Sequence, residues 1–405
     1  MLISFTLGNF RSFDEPTLFS MLPVSIIKNE NNMQGRLINT GNKNYPALLK
    51  SAAIYGANAS GKSNLLLGVK QMREFVLNNF RQIEYGQKTV YDPFLFSQNS
   101  IDKPSLYEIQ FLVDGNVFRY GFEILQSRVL EEWLYKNEKE LFFREKQNIH
   151  LGNPFPEGKG KETQTREDAL FLSVCAYLNG DISQTILKQF EKIDVLNLLP
   201  DWEIFDLYSK DPKLRKKLLP LVQLADAGIH DFQRITVKYS EDADEHNVIS
   251  LQNAVYYSAV YKINESDTQR NLNMEKLSSG TKKMLNIALQ MSRAIESNSI
   301  VIIDEIDIQL HSLLIGILLD FFHSQESSQS QLIFTAHSTY PLRKKLLRRD
   351  QVWFVNKDIN LSSELVNFAE FKVPPEASYE NDYLNGRYGG IPLVDLSDII
   401  KEYKQ

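Results

Sequence analysis

The chain has 405 residues, of which 43% are hydrophobic and 24% are charged, and this is the composition of a globular protein. The length predicts two or three domains, or one large domain that carries an insertion. The formal net charge of −6 argues against a generally basic surface, so any contact with nucleic acid is expected at a local patch. A single cysteine excludes an internal disulfide and disfavours a cysteine-based metal site.

The sequence carries no recognisable membrane or secretion signal. Its first residues, MLISFTLGNFRSF, are apolar for only a short stretch, reach Arg11 and show no cleavage pattern. No run approaches the roughly 18 apolar residues that indicate a spanning helix. We therefore expect a cytoplasmic protein without membrane contact.

The first motif in chain order is a phosphate-binding loop. Residues Gly56 to Ser63, GANASGKS, match the pattern G-x-x-x-x-G-K-[ST]. The preceding SAAIY reads as a short buried strand, and the following residues predict a helix with an apolar face. That face consists of Leu65, Val69, Met72 and Val76. Strand, glycine turn and helix form the context that such a loop needs, because glycines let N–H groups surround an anion at the positive end of a helix. A plain turn before a helix is the alternative.

The loop predicts binding of a nucleoside triphosphate. Lys62 would reach the β- and γ-phosphates, and the hydroxyl of Ser63 would be a ligand of Mg²⁺. The predicted ligands of the loop are therefore a nucleoside triphosphate and Mg²⁺. The nucleotide-binding residues expected in this segment are Gly56, Asn58, Ala59, Ser60, Gly61, Lys62, Ser63 and Asn64.

The middle of the chain predicts a hairpin and then a helical segment. LYEIQFLVDGNVFRYGFEI reads as two alternating strands around the turn Asp114-Gly115, whose aromatic residues suit a sheet core better than a base-stacking surface. Residues from about 161 to 232 read as amphipathic helices, and the strand-like RITVKY and AVYYSAVYKI follow. No heptads are sustained, so no long coiled coil is expected. This insert is a candidate surface for a partner or for DNA. Its basic cluster, predicted to be a solvated helix face, is Lys213, Arg215, Lys216 and Lys217.

A second carboxylate motif follows much later, in SIVIIDEID. Ile300 to Ile303 predict a buried strand that ends in Asp304 and Glu305, at the edge where open α/β sheets bind ligands. Asp304 suits a water-mediated contact with Mg²⁺, and Glu305 suits the polarisation of an attacking water. Alone, the motif could equally be a strand-end turn. More than half of the chain separates it from Ser63, so a segment must be inserted between the two halves of the site.

Two further motifs flank the second carboxylate motif. KLSSGTKKMLNIALQMSRAI precedes it and predicts a helix that starts near Ser278, Ser279 and Gly280. QLIFTAHSTYPL follows it and predicts a strand that ends at Thr335, two residues before His337. The order of loop, LSxG signature, DE strand and histidine resembles the ABC-type ATPase heads of the RecF, SMC and OLD families. LSSGT, Leu277 to Thr281, resembles the LSGGQ signature of ABC-type ATPases. It departs from that signature at its third and fifth positions, as is common among prokaryotic defence-associated heads.

The resemblance implies an α/β fold, in which an ABC-ATPase-like P-loop core with a mixed central sheet carries an added antiparallel sheet and a helical insertion. The implied domains are an N-terminal lobe over 1–160, a helical insert over 161–234 and a C-terminal lobe over 235–405. ATP would lie between paired subunits of a homodimer or larger homo-oligomer, with Ser278, Ser279 and Gly280 of one subunit facing the γ-phosphate that the other holds.

The resemblance also implies roles for single residues. His337 would contact the γ-phosphate and act with Lys62 and Glu305 as a catalytic group. LGNFRSF resembles the first-strand segment of such heads, which would bring Arg11 to the nucleotide, although pairing with a surface carboxylate is an alternative. Asp307 and His311 would line the seam between heads, with a structural role for His311 left open. Gln98 and Gln110 are both candidates for the Q-loop glutamine.

The C-terminal segments narrow the resemblance. DEIDIQLHSLL, RRDQVWFVNKD and YLNGRYGGIP together resemble the stand-alone "AAA family ATPase" group that includes AbiL and RloA. This group implies a nucleotide-driven switch or sensor that controls a separately encoded, nuclease-like effector in antiphage defence. The sequence after His337 is too short for a nuclease domain of the OLD type, so such chemistry is expected from another chain.

Other functions and contacts stay open at this stage. The alternatives are a RecF-like repair ATPase that binds DNA directly and a scaffold that ATP stabilises with little turnover. The densest basic run, PLRKKLLRRD, reads as a surface helix, and a contact with DNA, RNA or an acidic partner is its alternative.

Overall fold

The computed structural model describes residues 1–24, 35–79, 90–195, 202–241, 250–263, 268–343, 346–374 and 377–391. The chain divides into two compact units. The first comprises Met1–Val195, Ala294–Ile306 and His323–Gln405, and the second comprises Leu196–Arg293 and Asp307–Phe322. No helix in the described part of the chain is long and apolar enough to cross a bilayer.

The strands and α-helices of the described residues are numbered in chain order. The strands are β1 (Leu2–Gly8), β2 (Thr17–Ser20), β3 (Leu37–Asn39), β4 (Ala47–Leu49), β5 (Ser51–Gly56), β6 (Ser105–Val113), β7 (Asn116–Leu125), β8 (Arg128–Lys136), β9 (Lys139–Glu145), β10 (Asn148–Leu151), β11 (Ile193–Val195), β12 (Ile229–Glu241), β13 (Ser250–Ile263), β14 (Thr268–Asn273), β15 (Ile300–Ile303), β16 (Gln331–Thr335), β17 (Val352–Lys357) and β18 (Ser363–Asn367). The α-helices are α1 (Lys62–Asn78), α2 (Gln98–Ile101), α3 (Phe171–Tyr177), α4 (Asp181–Glu191), α5 (Trp202–Lys210), α6 (Pro212–Gln223), α7 (Ser279–Ser297), α8 (Ser312–His323) and α9 (Tyr379–Leu384).

A mixed sheet forms the centre of the first unit. Its strand order is β11-β15-β16-β5-β17-β18, with parallel neighbours from β11 to β17 and an antiparallel edge strand β18. The strands predicted before the phosphate loop, before Asp304 and before His337 are thereby confirmed as β5, β15 and β16. Because these three strands are parallel, their carboxyl ends meet at one edge of the sheet, where α/β folds bind ligands.

A seven-stranded antiparallel sheet accompanies the mixed sheet in the first unit. Its order is β10-β9-β8-β7-β6-β1-β2, and β6 and β7 form the predicted hairpin around Asp114 and Gly115, both with positive φ. The alternating residues predicted as sheet core are buried: Tyr107, Ile109, Phe111, Val113, Phe118, Tyr120, Phe122 and Ile124. They share one hydrophobic core with the apolar face of α1. The predicted α/β fold with mixed and antiparallel sheets is therefore confirmed.

A buried ion pair attaches α3 to the antiparallel sheet. Glu132 and Arg144 are fully buried, with 3.4 Å between Oε2 and Nη1. The carboxylate also accepts the backbone N–H groups of Phe171 and Leu172 at 2.7 and 2.9 Å, which satisfies donors at the start of α3. Burial raises the pKa of Glu132 from its ordinary value, because the charged form loses hydration.

The second unit contains α5, α6 and a three-stranded antiparallel sheet of order β12-β13-β14. Asp211 caps α6 by accepting the N–H groups of Lys213 and Leu214, and Pro212 begins the helix. Phe205 of α5 packs edge-on against the ring of Phe232. The helices and strands predicted between about residues 161 and 263 are confirmed except at Ile193–Val195, which was predicted as part of a helix and forms β11 of the mixed sheet. The predicted insert 161–234 is divided between the units after Val195, and its boundaries as a domain stay a prediction.

The described residues of the basic run PLRKKLLRRD do not form the surface helix that the sequence predicts. Short 3₁₀ turns occupy Tyr340–Leu342 and Arg349–Gln351, and Lys344 and Lys345 lie outside the described residues. Arg348 is only 2% exposed and donates two hydrogen bonds to Asp350, at 2.9 and 2.7 Å. The carboxylate two residues away neutralises the guanidinium in a two-point pair, which allows its burial.

Candidate functional site

The phosphate-binding loop joins β5 to α1 in the first unit and depends on two glycines. A Cβ added to Gly56 would lie 2.6 Å from the carbonyl oxygen of Val355, and one added to Gly61 would lie 2.3 Å from Oγ of Ser363. Gly61 also has φ of 117°, which L residues rarely adopt. A side chain at either position would therefore displace the loop.

Side chains from two distant segments brace this loop. The hydroxyl of Ser363 donates to the carbonyl oxygen of Ser60 at 2.5 Å. Asn64 donates from Nδ2 to Oγ of Ser12 at 2.9 Å, and the Ser363 N–H donates to the Ser12 carbonyl oxygen at 2.6 Å. The motif pattern did not identify Ser12 or Ser363, because each reaches the loop only through tertiary packing.

Lys62 folds back over the loop that precedes it. Its Nζ donates to the carbonyl oxygens of Gly56 and Ala57 at 2.8 and 3.0 Å, and the residue is buried. The loop carbonyls thus hold the ammonium group at the floor of the site, at the first residue of α1.

Thr335 ties the second carboxylate motif to the neighbouring strand. Its hydroxyl donates to Oδ1 of Asp304 and accepts the N–H of Glu305 at 2.7 Å. Glu305 has φ of 50°, a left-handed conformation that costs a non-glycine residue about 1–3 kcal/mol. The strained turn follows β15 directly. It brings Oε1 of Glu305 to 3.5 Å from Nε2 of His337, and both side chains are partly exposed.

Most of the predicted site residues line one cavity of about 750 Å³. Its lining residues are Arg11, Ser12, Asn58, Ala59, Ser60, Gly61, Lys62, Ser63, Asn64, Asp92, Pro93, Leu95, Phe96, Glu305, His337 and Lys357. Gly56 and Asp304 are not in the lining: Gly56 lies behind the loop, and Asp304 is held by Thr335. Neither Q-loop candidate, Gln98 or Gln110, is among the described lining residues.

Arg11 reaches the cavity together with a carboxylate partner. Its Nε lies 2.6 Å from Oδ2 of Asp92, and its N–H donates to the Asp92 carbonyl oxygen at 2.7 Å. Both side chains are 41% exposed, so the pair contributes little to folding, about 0–1 kcal/mol. The structure therefore combines the two options that the sequence left open, a cavity position and a surface carboxylate partner.

Leu95, Phe96 and Lys357 are among the lining residues that the sequence did not mark. Leu95 and Phe96 are 65% and 67% exposed and add an apolar part to the lining. Lys357 ends β17 and adds a cation to the lining. It lies in the segment RRDQVWFVNKD, but only the parallel pairing of β17 with β5 brings that segment beside the loop.

The signature residues belong to the second unit, where they begin α7. Oγ of Ser278 accepts the N–H of Thr281 at 3.0 Å and caps the helix. A Cβ on Gly280 would lie 2.7 Å from the carbonyl oxygen of Gln309, so this position excludes a side chain. Ser278 and Ser279 are exposed, which leaves the first turn of α7 at the surface of the chain.

The donor set suits Mg²⁺ bound together with a phosphate. Ser63 and Asp304 offer a hydroxyl and a carboxylate oxygen, and Mg²⁺ prefers oxygen ligands. Across the described residues, no group of three or more His, Cys, Asp or Glu side chains could hold a metal ion. A magnesium ion here would therefore need phosphate oxygens and water for the rest of its coordination, as is usual for nucleotide-bound Mg²⁺.

Comparison with known protein families gives one match. A family model described as "AAA domain, putative AbiEii toxin, Type IV TA system" matches residues 51–167 and 180–342. None of the curated proteins matches the chain.

Among solved structures, the chain is similar to heads of SMC proteins. An SmcHead bound to the C-winged helix domain of ScpA is 14% identical with a TM-score of 0.47, and the match covers 90% of this chain and 96% of that one. The SMC head domain from Thermotoga maritima is 15% identical with a TM-score of 0.42, over 92% and 99% of the two chains. An Smc head domain with an extended coiled coil, bound to the C-terminal domain of ScpA derived from Pyrococcus furiosus, is 12% identical with a TM-score of 0.46, over 100% and 99%.

Proposed function

Since the chain belongs to this AAA-domain family, we propose that it binds ATP and Mg²⁺ in the cavity of the first unit and hydrolyses ATP slowly. One observation carries the proposal: Lys62, Glu305 and His337, which follow three different parallel strands, line the same cavity. A phosphate cradle, a carboxylate for water activation and a hydrogen-bonding imidazole are the groups that phosphoryl transfer to water needs.

The contacts around the loop suggest how the residues act. Lys62 exchanges its bonds to the carbonyl oxygens of Gly56 and Ala57 for the β- and γ-phosphates. Glu305 orients and polarises the attacking water, while His337 contacts the γ-phosphate from the neighbouring strand end. Arg11 and Lys357 add positive charge at the mouth of the cavity. Ser63 and Asp304 would hold Mg²⁺, which would supply neutralisation of the charge on the phosphate oxygens.

The signature supports a paired arrangement. Ser278 and Ser279 are exposed at the start of α7, where N–H groups and the helix dipole favour an anion. We place this turn against the γ-phosphate held by a second copy, so that ATP joins two subunits and hydrolysis lets them separate. The nucleotide cycle then works as a switch between paired and separated heads.

The biological role rests on the family and on the resemblance of the C-terminal motifs. The family description names a toxin of a type IV toxin–antitoxin system, which supports a role in defence. We propose that the switch controls a separately encoded, nuclease-like effector in antiphage defence, in the cytoplasm. This proposal includes the narrower likeness to AbiL and RloA. It also includes a contact with DNA or RNA.

Three variants test the nucleotide switch. Lys62→Ala should abolish binding of a fluorescent ATP analogue, because the loop loses its phosphate cation. Glu305→Gln should keep ATP affinity and accumulate an ATP-dependent dimer in sedimentation velocity, because ATP then stays bound without being hydrolysed. Adding Ser279→Arg to Glu305→Gln should leave ATP binding intact but prevent the dimer, since Ser279 is exposed and the change should not disturb folding.

Each variant also has an outcome that contradicts the proposal. Wild-type ATP affinity in Lys62→Ala would remove the binding site from the cavity. Unchanged phosphate release in Glu305→Gln would leave the ATP-stabilised scaffold as the better function. A dimer that survives Ser279→Arg would show that the signature does not face a second copy.

A further inference from the structure

The glycines of YLNGRYGGIP lie directly behind the phosphate-binding loop. Gly389 and Gly390 both have φ of 72°, a left-handed conformation that favours glycine. A Cβ added to Gly390 would lie 3.4 Å from Cα of Gly56, the first glycine of the loop. This is an ordinary van der Waals distance, so a side-chain atom at position 390 would touch the backbone of the loop, although the two residues are far apart in the sequence.

Hydrogen bonds hold Gly390 in this position. Its N–H donates to Oδ1 of Asn356 at 2.5 Å, and its carbonyl oxygen accepts the hydroxyl of Tyr383 at 2.9 Å. Asn356 follows Val355, whose register partner in the mixed sheet is Gly56. Asn356, Gly390 and Gly56 thus form one continuous contact set behind the loop.

Aromatic rings pack around this contact set. The ring of Phe354 on β17 stacks with Tyr383 at 5.4 Å and with Tyr388 at 5.6 Å. Tyr383 also meets Tyr55, the residue before Gly56, edge-on at 5.7 Å. Such ring pairs contribute about 0.5–1.5 kcal/mol each beyond their buried area.

The helix α9, which leads into YLNGRYGGIP, contacts the residues that follow His337. Glu380 of α9 accepts the hydroxyl of Thr339 at 2.6 Å and lies 3.7 Å from Nε of Arg343. Thr339 is two residues beyond His337. The segment therefore touches both the loop that would hold the phosphates and the turn that would contact the γ-phosphate.

We propose that Tyr383, Asn356 and Gly390 form a positioning element that fixes Gly56 and, through it, the starting position of Lys62. The link is direct, since the carbonyl oxygen of Gly56 accepts the Lys62 ammonium at 2.8 Å. If Gly56 moves, the loop N–H groups and Lys62 no longer converge on one anion. This inference rests on the proposed nucleotide binding and adds residues to it that touch no substrate.

Gly390→Ala tests the element, with Gly386→Ala as the matched control. Both glycines have similar positive φ, 72° and 76°, so both substitutions strain the backbone alike. A Cβ on Gly390 would lie 3.1 Å from the ring of Tyr383 and 3.4 Å from Cα of Gly56, whereas among the described residues a Cβ on Gly386 meets the side chain of Ile391 alone. Gly390→Ala should raise the Kd for ATP about tenfold, because small displacements of a binding group are costly. Gly386→Ala should lower the melting temperature similarly and change the Kd by less than about twofold.

Tyr383→Phe tests the same element without adding an atom. It removes the hydrogen bond to the Gly390 carbonyl oxygen and keeps the ring stacking, so folding is preserved even if Gly390→Ala is unstable. We expect the Kd for ATP to rise about threefold, while turnover at saturating ATP stays within about twofold of wild type.

The outcomes separate this inference from the proposed function. If wild type binds ATP and Lys62→Ala does not, but Gly390→Ala and Tyr383→Phe bind like wild type, the positioning element is overturned and the binding site stands. An equal rise in the Kd for ATP in Gly390→Ala and Gly386→Ala would also overturn the positioning element, since backbone strain would then explain the weaker ATP binding. If wild type itself binds no ATP, the proposed function fails first.

Discussion

Nε2 of His337 lies 3.5 Å from Oε1 of Glu305, although the two residues follow different strands of the mixed sheet. The contact exists because β15 and β16 are parallel neighbours, and because Thr335 at the end of β16 binds both Asp304 and the N–H of Glu305. Two groups that would act on the γ-phosphate and its attacking water are therefore adjacent in the fold.

This contact predicts the effect of His337→Gln. The substitution removes the imidazole from the side of Glu305, so turnover should fall about 100-fold while the Kd for ATP changes little. Phosphate release and ATP-analogue titration measure the two quantities. His150→Gln is the control, because His150 is exposed on β10. Equal turnover in the two variants would exclude a catalytic role for His337.

Arg11→Ala should weaken ATP binding without destabilising the fold. The Arg11–Asp92 pair is 41% exposed on each side, so its loss should cost less than about 1 kcal/mol of unfolding free energy. Loss of a cation from the cavity mouth should raise the Kd for ATP about five- to tenfold. Arg128→Ala, which breaks the exposed pair with Glu167, is the matched control and should leave ATP binding unchanged. If both variants bind ATP equally well, Arg11 is only a surface residue.

Lys357 should contribute charge to nucleotide binding. Lys357→Met keeps much of the side-chain volume but removes the cation, and we expect about a tenfold higher Kd for ATP. Lys357→Arg retains the charge and should stay within about threefold of wild type. Titrations at low and high salt should show the difference shrinking as salt rises. A Kd that is the same for Met and Arg would contradict an electrostatic role.

The buried Glu132–Arg144 pair should be important for stability. Arg144→Met leaves a buried carboxylate without its cation, which should cost about 3–5 kcal/mol in the free energy of unfolding. Urea denaturation measures the change. The double variant Glu132→Gln with Arg144→Met should recover part of the loss, because no buried charge remains. A double variant less stable than Arg144→Met would show that the uncompensated charge is not the cause.

His323 should make stability dependent on pH. Burial, together with the positive charges of Arg36 and Lys50, holds the pKa of His323 well below its usual range. Below about pH 6.5 the unfolded chain protonates this residue while the folded chain does not, so stability falls with decreasing pH. The slope from this residue approaches about 1.4 kcal/mol per pH unit. In urea titrations from pH 7.5 to 5, His323→Gln should show a shallower loss than wild type, and an identical slope would refute this origin.

Local patterns in the sequence were sufficient for the elements that carry the site. The strands before Gly56, Asp304 and His337 follow from apolar runs, and the loop follows from glycine spacing, because both signals depend on neighbouring residues alone. The hairpin at Asp114-Gly115 is of the same kind. The apolar face of α1 also follows from a local pattern, since its period of about 3.6 residues is visible in the sequence.

The error at PLRKKLLRRD has a local cause that composition conceals. A dense run of positive charge predicts an exposed segment, because unpaired charges are costly to bury. Asp350 removes that cost for Arg348 through a two-point pair, and no periodic signal marks which arginine of the run will find it.

By itself, the sequence determined the kind of chemistry, since the types and spacing of loop, carboxylate and histidine residues already indicate a nucleotide site. Tertiary structure alone decided what surrounds that chemistry: the Ser12 and Ser363 braces, the Lys357 cation and the Gly390 contact. The physical reason is that parallel strands pair segments far apart in the chain. The packing of β17 beside β5 brings residues to the loop that no pattern within either segment connects.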